Sequence, residues 1–86
     1  MVVAHIRIAP LTSMVTIDPL VLRDLIYDTA EPDDCIEHLR VRAGPHGADI
    51  LAFVDSSDPE EAVDKLHRLV SQVIAHEPLL RLWRIT

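Results

Sequence analysis

Cysteine occurs once, glycine twice, and tyrosine, phenylalanine and tryptophan once each among these 86 residues. One thiol excludes an internal disulfide framework and a multi-thiolate zinc module. Two glycines exclude collagen-like repeats and supply no phosphate-cradling run. Basic residues are scarce, eight against fourteen acidic, for a formal net charge of −6. That balance argues against non-specific DNA binding and against attraction to anionic lipid, since both draw on clustered Lys and Arg. Uninterrupted apolar runs are only a few residues long, so no membrane-crossing helix is expected. The opening MVVAHIRIAP carries His5 and Arg7 without a charged-then-apolar layout. No export signal is read there, and a single thiol fits a cytoplasmic setting.

What is present is 49% hydrophobic and 26% charged residues, a composition that folds. The length fits one domain over residues 1–86. Residues 2–9 alternate, with Val2, Ala4, Ile6 and Ile8 on one side and Val3, His5 and Arg7 on the other, which predicts a half-buried strand. PLTSMVTI is ambiguous between loop and a short strand. Asp18-Pro19 starts a helix that runs to about Asp28, with Val21, Leu22, Leu25 and Ile26 as its apolar stripe. Pro32 ends any continuation. Ile36–Ala43 alternates again, Gly44 to Gly47 forms a turn, and Asp49 to Asp55 alternates after it, so the pair reads as a hairpin. Asp58-Pro59 opens a second helix, with Glu61 at the capping-box position, reaching about His76. Pro78 stops it, and LLRLWRIT reads as a last strand.

The order β-α-β-β-α-β predicts an α+β sandwich, a four-stranded antiparallel sheet with both helices on one face. It resembles the ferredoxin-like fold, whose strands lie in the spatial order four-one-three-two. The resemblance is one of topology and implies no activity.

Placing the helices on one face assigns the other face by alternation. Asp49 and Asp55 must avoid the core, because an unpaired buried carboxylate costs several kcal/mol; that places Leu51 and Phe53 on the open side. Keeping Arg81 out of the core puts Trp83 and Ile85 beside it and buries Leu80 and Leu82. The opposite register would bury Trp83 and Ile85 and expose Leu80, Leu82 and Arg84. In the first register, Val3, Leu51, Phe53, Trp83 and Ile85 form an apolar surface edged by His5, Arg7, His38, Arg40, Arg42 and Arg81. Most acidic residues then fall on helices and loops. An apolar patch rimmed by arginine has the composition of a partner surface.

Chemical motifs are thin. Five histidines include no HxxxH pair, and Cys35-x-x-His38 lacks a second ligand pair, so no metal is expected. The serines lie in no GxSxG context. No cofactor is implied. The expected function is therefore a small non-catalytic interaction or regulatory domain. Its expected partner is a protein, simplest as a second copy of itself, bound through Arg7, Arg40, Arg42, Leu51, Phe53, Arg81 and Trp83. An alternative is a dimeric α+β-barrel enzyme or small-molecule binder, with His5 and His38 as acid–base groups beside the arginines.

Overall fold

The computed structural model describes residues 1–12 and 15–86. Strand β1 spans Val2–Pro10, helix α1 Pro19–Thr29, β2 Ile36–Gly44, β3 Gly47–Val54, helix α2 Pro59–His76 and β4 Trp83–Ile85. Short 3-10 turns at Pro32–Asp34 and Pro78–Leu80 precede β2 and β4. Of the ambiguous PLTSMVTI segment, Pro10 closes β1, and Val15 and Ile17 pack half-buried on the core. Ser13 and Met14 lie outside the described residues.

Both long helices begin as the Asp-Pro pairs dictate. The carboxylate of Asp18 accepts the Leu20 amide at 2.9 Å, and that of Asp58 accepts the Glu60 amide at 3.0 Å. Each satisfies an amide that the first turn leaves without a helical acceptor. From α1, Leu22 and Ile26 are buried; from α2, Ala62, Leu66, Leu69, Val70 and Val73 are. These side chains join Ala4, Ile6, Ile8, Leu39, Ala48, Ile50, Ala52 and Val54 in one core. Each fully buried Leu, Ile or Val contributes about 1.5–3 kcal/mol relative to exposure.

The architecture is α+β, with a four-stranded antiparallel sheet in the order β2-β3-β1-β4 and two helices. Read from the other edge the order is four-one-three-two, compatible with a ferredoxin-like sandwich. Alternation runs as expected through β1, β2 and β3: Ala4, Ile6 and Ile8 of β1, the even residues of β3 and Leu39 of β2 are buried, and their neighbours face away.

The end of the chain departs from expectation. Residues 78–80 form a 3-10 turn with Leu80 fully buried, and Arg81 closes that turn in an exposed position ahead of the sheet. The strand therefore starts two residues after Arg81. Trp83 pairs with Pro10 and is only 4% exposed, Arg84 faces outward opposite Ala9, and Ile85 is half-buried beside Ile8. Leu82, expected in the core, is 42% exposed. The physical reason is that the turn removes Arg81 from the strand, and with it the constraint that set the register. The largest apolar side chain then takes the core position. The expectation that Trp83 and Arg81 lie on the open face is overturned.

Candidate functional site: the open sheet face

Register sets the face out in rows. Phe53 of β3 lies between His38 of β2 and Val3 of β1; Leu51 lies between Arg40 and His5; Asp49 lies between Arg42 and Arg7. Apolar side chains thus occupy one end of the face and charge the other. Val3 is 53% exposed, and Leu51 and Phe53 are half-buried. The His38 and Phe53 rings stand 5.8 Å apart and tilted at 45°, a range in which ring pairs attract.

Asp49 organises the charged end. Its Oδ1 accepts from His5 Nε2 at 2.9 Å and its Oδ2 from Arg7 at 3.1 Å. A carboxylate can only accept, so Nε2 carries the proton in this hydrogen bond. The hydrogen bonds from His5, first, and Arg7 hold the Asp49 carboxyl below its ordinary value, against the opposing effect of desolvation. Arg7 in turn lies across Gly47. A Cβ there would sit 2.5 Å from the Ile8 carbonyl oxygen and 3.1 Å from an Arg7 nitrogen, at a φ of +155° that other residues avoid. The hairpin geometry requires this glycine. Pro45 fixes a negative φ at the first corner, and His46 also has negative φ, so the turn is not of the primed types whose twist suits a two-residue hairpin. Gly47 takes the unusual conformation.

Of the nine residues singled out from sequence, seven share this face: His5, Arg7, His38, Arg40, Arg42, Leu51 and Phe53. Trp83 is under the helices and Arg81 is outside the sheet. His5 and His38 do not converge. They stand on strands that flank β3, about 10 Å apart across two strand spacings, and in different rows. Sequence reading missed two contributors, Asp49 as the bridge between His5 and Arg7 and Gly47 beneath Arg7; Arg84 on the β4 edge belongs to the opposite register weighed for the last strand. The bridge follows from the β1–β3 register, which no local signal carries.

Cys35 and His38 are also apart in their contacts. The Cys35 sulfur lies 3.6 Å from the Asp33 carbonyl and 3.8 Å from Lys65 Nζ, while His38 stacks on Phe53. Glu61 holds that lysine at 3.2 Å and keeps its pKa above the ordinary value. Among the described residues no group of three His, Cys, Asp or Glu is placed to hold a metal ion, and no helix is long and apolar enough to cross a membrane. No family model, curated protein or solved structure matches this chain.

Proposed function

We propose that the protein is a small, ferredoxin-like, non-catalytic interaction or regulatory domain that binds a protein partner through its open sheet face, in a cytoplasmic setting. The observation that carries this reading is the strip Val3, Phe53 and Leu51, covered by no element among the described residues and flanked by Arg40, Arg42 and Arg7. Phe53 is the anchor, since aromatic side chains bury large area at low entropic cost, and the arginines fix orientation. Trp83 has no part in it.

A second copy is the simplest partner by symmetry, but it would bring Arg40 and Arg42 against an equally basic face. The one acid central to the face, Asp49, is already bonded to its own His5 and Arg7. An acidic partner surface avoids that repulsion. The test places a photo-crosslinking residue at Leu51 or at Val63, which is exposed on α2. One discrete adduct from position 51, absent from position 63 and lost on adding Phe53→Ala, is the expected result. Equal adducts from both positions, or an adduct at position 51 indifferent to Phe53→Ala, would overturn the reading.

A further inference from the structure

Beside the open face, β2 forms one edge of the sheet, and its outer side faces a groove of about 420 Å³ between the strand and α1. Pro19, Leu20 and Arg23 line the helix wall, and residues 38–42 line the strand wall. We propose that this groove takes an extended acidic segment of a partner protein, which adds to β2 as a further strand. The proposal goes beyond the open-face reading, with which it shares Arg40 and Arg42.

The backbone supplies the first argument. The Leu39 amide points off the edge, where it donates to the Tyr27 hydroxyl at 2.8 Å. Strand alternation turns the Val41 and Ala43 amides the same way, and among the described residues no strand lies beyond them. Beyond Leu39, whose amide Tyr27 already holds, the outward Val41 and Ala43 groups are what an added strand pairs with. The strand wall, five residues long, offers about 17 Å of template.

Charge decides the occupant. Arg40 and Arg42 make no ion pair among the described residues, and the cross-strand neighbour of Arg42, Asp49, is engaged elsewhere. Among the described residues Arg23 reaches only its sequence neighbour Asp24, at 3.3 Å, and its buried Nε has no hydrogen-bond partner there. Three guanidinium groups around one groove call for carboxylates. A second copy pairing β2 against β2 would instead set arginines opposite arginines, which is destabilising. Alternation further specifies the segment. Acids two residues apart meet Arg40 and Arg42 on the open side, and the residue between them turns toward Leu20 and Val41, so it is apolar.

The test uses isotope-labelled protein and a fluorescein-labelled peptide alternating glutamate and valine. Controls are a lysine–valine peptide and a glutamate–valine peptide N-methylated on the edge that would face β2. The acidic peptide is expected to bind and to slow exchange of the Val41 amide. The N-methylated form should bind about tenfold more weakly, having lost backbone donors, and the pair Arg40→Glu with Arg42→Glu should reverse the preference to the lysine peptide. Phe53→Ala should leave peptide affinity within about twofold, since its ring is on the open face rather than in the groove. Binding without protection of Val41, protection at the Val3 and His5 edge of β1 instead, or no binding at millimolar peptide would overturn strand addition. Loss of binding with Phe53→Ala would place the peptide on the open face and overturn it equally. Failure of strand addition by lost Val41 protection leaves the open-face reading standing, and a shared dependence on Phe53 is the one outcome that links the two.

Discussion

Asp49 stands where the charged half of the open face is held in place. Its carboxylate fixes His5 and Arg7 at once, and its pKa is lowered by those bonds. A carboxyl with a folded-state pKa below its unfolded value near 3.9 adds stability above that value, which is lost as pH falls through the folded-state pKa. Asp49→Asn should therefore be less stable than the parent at neutral pH, with the gap closing on acidification below about pH 4. Urea midpoints measured from pH 7 down to pH 2 would show this convergence. A gap of constant size would mean that the amide disturbs packing rather than charge. The same carboxylate, paired with His5 and Arg7, is the acid across the strand from Arg42, which makes no ion pair among the described residues.

The hairpin is the element on which this arrangement depends. Gly44 pairs with Gly47 across Pro45 and His46, and that closure sets the register placing Arg42 beside Asp49 and Arg40 beside Leu51. Gly47→Ala would force a Cβ against the Ile8 carbonyl at a φ disfavoured for alanine. We expect a loss of about 1–3 kcal/mol, read as a lower urea midpoint with unchanged m-value. A neutral effect would mean that β1 and β3 separate at that end at little cost. The helices tolerate more. Their Asp-Pro starts are local devices, and removing one Asp cap costs about 1 kcal/mol without moving a strand. Those starts, the hairpin and the alternation of β1 to β3 were legible in the sequence because each is written in residues close together along the chain. The register of β4 was not. It depended on whether residues 78–81 would turn or extend, and a proline followed by two leucines is consistent with both.

For the molecule as a whole, the relocation of Trp83 changes what that residue does. Buried against the core at the end of β1, it supports the fold. Trp83→Ala should cost about 3–5 kcal/mol, a large share of the 5–15 kcal/mol that a domain of this kind commonly has. The single tryptophan reports this directly: the parent should emit at short wavelength when folded and shift red in urea. An emission maximum already red-shifted in native buffer would place the ring in water and contradict the packing. The open face, without Trp83, is smaller and more polar than the alternation pattern alone suggests, and it still carries Phe53, Leu51 and Val3 among basic neighbours. Half of the eight basic residues, Arg7, Arg40, Arg42 and Arg84, stand on that face, while Arg23, Lys65 and Arg68 sit on helices. The sheet side is therefore basic through four arginines, and the helix side is mixed.

Local patterning by itself determined the order of elements, the buried side of three strands, and hence the seven face residues that the sheet brings together. Period-two alternation and N-terminal caps act over a few residues, and no distant contact needs to be known to read them. Only the tertiary structure decided that Trp83 goes inward, that Asp49 joins His5 to Arg7, and that β2 is left as an unpaired edge beside α1. Those outcomes come from residues far apart in the chain competing for the same space and the same hydrogen bonds, a competition that chain assembly settles.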